Sequence, residues 1–432
     1  LALAVSPDNS TLVVVDGGTS QQIKAFSNAS AAALWTFGQA GGYASDPAVA
    51  NDKFYFSDTV TMLSKPFIAF QPDGSFWVAD VGNERVQHYS SARVFIDRIM
   101  CLPHSYSVVA DRNNPTRVFN EYLEFQVDYS KPLAPANGSW TLVRNWRHGI
   151  TKDYFQEGKV NIFNQVVTLA NGKTYATLEN CSTPDVRYPE VVELPASGHV
   201  RYTGVRFGDF SKDFLAADGS LRRFISSGKT GDGGYWEAQA LTGFSSGNPV
   251  WGTPASIGAI PTIADGDPAQ GQVSHPVMTS SDILVLFERE RYNKGFHLGA
   301  VRKNDNKYLW KACPATTRDY SGPFPTDGAF DIGNNVEYAG GHVYALEKNI
   351  LWNYHGEFWK NGQTNIWNHF YDNGLMIGQF GTTSLDGQKI DIEAFAMGAG
   401  NVFSSTLVKY GNDYYIYHND ESVHAGVHRW KI

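Results

Sequence analysis

The chain has 432 residues and only three cysteines, Cys101, Cys181 and Cys313. So odd and sparse a set is no disulfide framework, and no Cys-x-x-Cys stands ready for a metal or a redox centre. One bridge and one free thiol fit the count, and the pairing of Cys101 with Cys181 stays open. No apolar run nears the ~18 residues a membrane span needs. No run of Lys or Arg exists either. The 35 basic and 43 acidic residues leave a formal charge of -8, so neither a nucleic-acid partner nor a membrane span is expected. The opening Leu1-Ala-Leu-Ala-Val5 is too short for a signal-peptide core and reads as a first strand. Several catalytic signatures are absent: the Gly-x-Ser-x-Gly elbow, the phosphate loop, the dinucleotide fingerprint, His-Glu-x-x-His and the haem Cys-x-x-Cys-His. No long amphipathic helix stands out.

What the chain does have is 14% aromatics and 42 glycines. That mixture suits many short strands joined by tight turns. The clearest unit runs from Gln71 to Tyr89. Asp73-Gly74 is a turn pair, because glycine accepts the positive φ that tight turns need. Phe76 to Ala79 is an apolar run of strand length, Asp80 to Asn83 a second turn, and Val86 to Tyr89 a second strand. A related unit comes earlier: Pro7-Asp8, the run Leu12 to Val15, the turn Asp16-Gly17-Gly18, and the return Ile23 to Phe26. Asp16 and Asp80 stand 64 residues apart. Hairpins repeated at a roughly fixed period indicate a radial or stacked architecture.

The residues Asp73, Gly74, Val78, Ala79, Asp80, Asn83, Arg85, Val86 and Gln87 resemble the NHL repeat, a β-propeller blade unit. The earlier copy departs from it, with Thr19 in place of Asn83, Gln21 in place of Arg85, and one extra residue before Ile23. The resemblance implies an all-β fold, a single β-propeller over 1–432. Function does not follow from it, because propellers host many unrelated activities. NHL-like amidating lyases hold channel metals with His, and the resemblance does not extend to that metal pattern.

Strand groups counted along the chain give about seven blades, with six or eight also compatible. Asn171-Gly172 between Val160–Leu169 and Thr174–Leu178 is the strongest short hairpin signal. Segment 226–276 is rich in Gly and Pro and reads as an irregular loop or insertion over one face. The chain ends in a strand, Val427 to Ile432. Pairing of that strand with Leu1 to Val5 would close the ring, remove an open edge, and bury Trp430 between the first and last blades.

Four groups of residues could carry chemistry. His418, Asp420, Glu421 and His424 flank one hairpin, and imidazole with carboxylate suits a divalent metal, calcium or zinc. Arg147 and His148 stand among aromatics, and the planar fork of an Arg matches a carboxylate or sulfate. Trp359, Trp367, His369 and Tyr371 could form a stacking platform for sugars, against the alternative of packing between blades. His104 begins an inner strand and could face the central channel. Sequons at Asn9, Asn28, Asn137 and Asn180 matter only in a eukaryotic secretory protein.

The expectation is a secreted or periplasmic propeller that binds an extracellular glycan or protein, with no cofactor assigned beyond that divalent metal. A metal-assisted polysaccharide lyase or hydrolase with its site at the channel mouth is the alternative. A self-associating structural subunit is the third reading.

Overall fold

The computed structural model describes residues 2–56, 65–100, 107–132, 138–150, 161–180, 190–206, 214–215, 221–226, 234–246, 248–260, 272–278, 283–289, 296–302, 308–312, 342–354, 366–373, 375–380, 405–420 and 426–432. Among the described residues the regular structure is β throughout, with short 3-10 turns such as Gly42–Ala44, Val81–Asn83 and Arg147–Gly149. No helix there is long and apolar enough to cross a membrane.

The first sheet orders its strands as the chain does: Ala2–Val5, Thr11–Asp16, Gln22–Ser27 and Ala33–Phe37. Its hairpin follows from local chemistry. The Asp16 carboxylate accepts the Gly18 amide at 2.9 Å, which turns the chain, and Val13, Val15, Ile23 and Ala25 then share one buried face. Ile68–Phe70, Phe76–Asp80, Arg85–Tyr89 and Phe95–Met100 make the second sheet on the same plan. The third is Val108–Asp111, Asn114–Asn120, Leu123–Val127 and Trp140–Asn145. The fourth is Asn161–Thr168, Thr174–Asn180, Glu190–Leu194 and Arg201–Arg206. A parallel contact between Val166 and Asp111 joins the innermost strands of these two. A fifth sheet follows with Phe214–Leu215, Leu221–Ser226, Gly234–Gln239 and Ala255–Ile260. The sixth opens with Gln272–Met278 and the seventh with His342–Leu346, each four-stranded. The eighth has three strands: Ser405–Tyr410, Asp413–Asp420 and Gly426–Lys431.

Successive four-stranded antiparallel meanders with their first strands side by side are the plan of propeller blades. The chain is an all-β, β-propeller protein. Among the described residues there are eight sheet groups, the third and fourth continuous as one eight-stranded sheet, besides a separate two-stranded hairpin; the sequence period suggests about seven blades.

Two expectations change. Segment 226–276 is not one irregular insertion. It holds two strands of the fifth sheet, a hairpin of Leu241–Ser245 with Asn248–Trp251, and the start of the sixth sheet. Pro249 lies in the two-stranded hairpin, where a strand has only one partner and the missing amide sacrifices little.

Among the described residues the two terminal strands do not pair with each other. Gly426–Lys431 pairs with Asp413–Asp420, and Ala2–Val5 pairs with Thr11–Asp16. The first strand of the eighth sheet instead contacts Val108–Asp111 of the third. The reason is apolar complementarity. Val408, Tyr415 and Tyr417 pack on Val108, Ala110, Val118 and Val127, and face-to-face burial needs no shared hydrogen bonds. Trp430 is half-buried on its own sheet, against Ile416 and Leu351 rather than against the first blade.

The first two sheets form a unit of their own. Their facing sides bury Val13, Val15 and Ile23 against Ile68, Phe76, Val78 and Tyr89, with Phe54 and Phe56 of the crossing loop between them. Phe54 stacks on Phe56 at 4.9 Å, and Tyr89 meets Phe76 at 5.6 Å and Phe37 at 5.0 Å.

Candidate functional site

The residues that carry the repeat resemblance come together, but they do so inside the protein. Arg85 Nε donates to Asp80 Oδ2 at 2.8 Å, and its Nη2 donates to the carbonyls of Ala50 and Lys53 at 2.8 and 2.9 Å. Asn83 Nδ2 donates to the same carboxylate oxygen at 2.8 Å, while the Tyr55 amide donates to the other at 2.7 Å. Burial works against the charge of Arg85, but Asp80 foremost, together with nearby Tyr43 and Tyr89, outweighs it, so the guanidinium pKa is raised. Burial likewise pushes the Tyr43 and Tyr89 hydroxyls up. Gly82 is required here by close approach: an added Cβ would lie 1.9 Å from the Tyr55 ring. These groups fix the crossing loop to the second hairpin and are not available to a ligand.

Arg147 lies at the next junction outward. Three turns meet there: Val81–Asn83, the Asn120–Tyr122 turn, and the end of Trp140–Asn145. Asn145 Nδ2 donates to the Gly82 carbonyl and to Asn83 Oδ1, both at 2.8 Å. Its own Oδ1 accepts the Arg147 amide at 3.0 Å. Arg147 is buried, with its guanidinium 5.7 Å over the Tyr122 ring. Glu84 and Glu121 are buried at the same junction, both in the left-handed region with φ of 50° and 53°. Asn120 Nδ2 reaches Glu84 Oε2 at 3.5 Å. Sequence reasoning passed over these two acids. The signal was a repeated Asn-Glu pair at the turn between two strands, Asn83-Glu84 and Asn120-Glu121.

His148 is exposed, and its ring stacks on His199 at 5.5 Å. Partial desolvation of its ring, then the neighbouring His199, lowers its pKa. His199 Nε2 donates to the Ala44 carbonyl at 2.9 Å. His369 and Tyr371 lie together on the seventh sheet, their rings edge to face at 6.2 Å. His369 Nε2 donates to Asn349 Oδ1 at 2.9 Å, and burial lowers its pKa. Arg147 and His148 therefore sit on the third sheet's outer end, and His369 and Tyr371 on a different blade.

His104, Trp359, Glu421 and His424 lie outside the described residues, as do the side chains of Trp367 and Asp420. His418 is buried, and its Nε2 accepts the Trp430 indole proton at 2.8 Å, which occupies that ring nitrogen. Its ring stacks on His428 at 5.0 Å. Among the described residues no group of three His, Cys, Asp or Glu side chains could hold a metal ion.

The outer side of the second sheet is built differently. Strand register places Ala69, Trp77, His88 and Asp97 in one row across its four strands. Trp77 and His88 stack with ring centroids 4.3 Å apart and planes within 7°. His88 is held on both edges: Nδ1 lies 3.1 Å from Asp97 Oδ1 and Nε2 lies 3.2 Å from the Ser75 hydroxyl. The other neighbour of the indole is Ala69, an exposed residue with only a methyl group. One face of Trp77 is thus buttressed and the other looks over a small side chain. Phe67 and Ile99, 44% and 55% exposed, flank the row on the same side.

No protein-family model matches the chain, and no curated protein matches it. Among solved structures it is similar to hydrazine synthase of Kuenenia stuttgartiensis at 11% identity, over 100% of this chain and 95% of that one, with a TM-score of 0.32. It is similar to the Swd1 β-propeller domain of Myceliophteria thermophila at 7% identity, over 86% and 96%, with a TM-score of 0.33. For virginiamycin B lyase of Staphylococcus aureus the figures are 11%, 96%, 90% and 0.27. Scores this low carry no argument about activity, and the propeller assignment stands on the sheets of this chain.

Proposed function

We propose that this β-propeller protein binds an extracellular glycan, as a secreted or periplasmic protein of the NHL-like kind, and that the Trp77 row of the second sheet contacts the sugar. The observation that carries the reading is the buttressed indole. A sugar ring stacks through its apolar C–H face, and a Trp already held in position loses little freedom on binding. His88, fixed by Asp97 and Ser75, prevents the indole from folding toward the third strand. The exposed Ala69 leaves room for a ring on the opposite side. Binding rather than catalysis fits the neighbouring charged groups, because Asp80 and Arg85 are spent on one another and on backbone.

A glycan array followed by calorimetric titration of the hits tests this. Trp77→Ala should weaken binding about tenfold, the scale set by one lost aromatic contact. If no glycan binds, or if Trp77→Ala binds as the parent does, the reading is wrong.

A further inference from the structure

Resting on that glycan-binding reading, we infer that the outer face of the second sheet selects a glycan carrying protonated amines over an acidic one. Among the described residues the row itself carries one carboxylate and no Lys or Arg. Asp97 ends the row with its side chain 62% exposed. Asp73, also exposed, accepts the Ser75 hydroxyl at 2.7 Å, and Ser75 is the group that reaches His88. The two arginines nearest in sequence are both turned to the other side of the sheet. Arg98 holds its guanidinium 5.8 Å over the Phe95 ring and reaches Asn51 Oδ1 at 3.5 Å. Arg85 is spent on Asp80. Lys65 precedes Phe67 at the opposite edge of the sheet from Asp97, about three strand spacings or ~14 Å away.

The indole adds to this preference. Its π-face attracts a cation placed over it, and Trp does so more strongly than the other aromatics. An ammonium group on a sugar stacked beside Ala69 would meet that face, and the next unit along the row would approach Asp97. A uronic acid or sulfate in the same place would meet the negative face of the ring and a carboxylate.

The test is calorimetry near neutral pH and low salt with three probes: a glucosamine oligomer, its N-acetylated counterpart, and a galacturonic acid oligomer. The glucosamine oligomer should bind about two- to five-fold more tightly than the acetylated one, the scale of one exposed charge pair. That gap should close in Asp97→Asn and in high salt, where exposed charges are screened. Galacturonate should bind weakest. Equal or tighter binding of galacturonate, or a gap that Asp97→Asn leaves unchanged, overturns the charge selection. The glycan reading survives that result provided the acetylated oligomer still binds and loses affinity in Trp77→Ala. Should no probe bind, the amine selection falls, and the glycan array decides the glycan reading. Trp77→Phe keeps a ring in the row should Trp77→Ala fail to fold, and Asp97→Asn removes the charge while keeping a side-chain oxygen that can accept the His88 Nδ1 proton, so unchanged binding of the acetylated oligomer by that variant shows that the buttress is intact.

Discussion

The crossing loop between the first two sheets is pinned by charge, whereas the seam between the third and eighth sheets is closed by aliphatic and aromatic surface. At the first, a single carboxylate, Asp80, receives Arg85, Asn83 and the Tyr55 amide. At the second, Val408, Tyr415 and Tyr417 lie on Val108, Ala110 and Val118, and Tyr129 stacks at 4.5 Å on Tyr410 and meets Tyr415 at a tilt at 4.6 Å. Arg429 adds its guanidinium 5.3 Å from the Tyr129 ring and 5.5 Å from the Tyr415 ring. The two differ in what they tolerate. Buried charge is stable only when every partner is present, and apolar contact is graded and non-directional. The polar junction therefore fixes one position of the loop, and the apolar seam supplies area.

Breaking the polar junction should have the largest effect. Arg85 is 1% exposed, and Arg85→Ala would leave Asp80 charged and buried without its main partner. We expect a loss of about 3–5 kcal/mol, the usual consequence of removing one member of a buried pair. Arg85→Lys should recover little, because a single ammonium cannot reach Asp80 and two carbonyls with the geometry of the planar fork. Denaturant titration of the full chain measures both. A loss under about 1 kcal/mol in Arg85→Ala would show that the junction is not a polar keystone.

A smaller effect is expected at the apolar seam. Tyr417 donates its hydroxyl to the Tyr129 oxygen at 2.9 Å, and Tyr129 in turn donates to the Pro115 carbonyl at 2.6 Å. Tyr417→Phe keeps the ring and removes one donor, so the loss should be about 0.5–1.5 kcal/mol. A loss as large as that of Arg85→Ala would mean that the seam, too, is held by its polar groups, and the contrast would dissolve.

The contrast also explains what could be read from the sequence. The hairpins were legible because turn chemistry is local. Gly74 has φ of 84°, and the Asp73 carboxylate accepts the Ser75 amide at 2.9 Å, as the Asp-Gly pair foretold. Asp80, Asn83 and Arg85 were legible as a pattern, though not as a buried junction. Their partners, the Ala50 and Lys53 carbonyls, are backbone groups and leave no mark in residue identity. The meeting of the third and eighth sheets was not legible at all. Residues some 300 positions apart meet there through faces, and any alternating strand offers such a face. The Trp77 row sits between these cases. Counting back from the closing pair Asp80 and Arg85 places Trp77 opposite His88, so the register was within reach. What could not be counted was the tilt of the two rings into a stack, which depends on Asp97 and Ser75 holding the imidazole.

The smallest effect concerns pH, at the stacked histidines beside the polar junction. His148 has a lowered pKa in the folded chain, from partial desolvation first and from His199 second. The unfolded chain therefore binds more protons than the folded one just below the ordinary His value, and stability rises with pH through that window. The contribution is complete above the ordinary His pKa of ~6.5 and is lost as pH falls through the lowered folded value. Among the described residues, His199 gives its Nε2 proton to the Ala44 carbonyl, and Arg144 Nη2 reaches the carbonyl of Ala196, three residues before His199, at 3.4 Å. Carboxylates with lowered pKa, such as Asp16 at about 2 beside Lys24, lose their contribution only at far lower pH. His148→Asn should therefore flatten the slope of stability against pH between about 5 and 7 and leave the acid limb unchanged. Because the ring is exposed and screened, the difference should not exceed about 0.5 kcal/mol. Denaturation midpoints of parent and variant across that range decide it: parallel curves would remove the His148–His199 pair from any role in pH response, and a variant that loses stability faster toward low pH than the parent would reverse the sign.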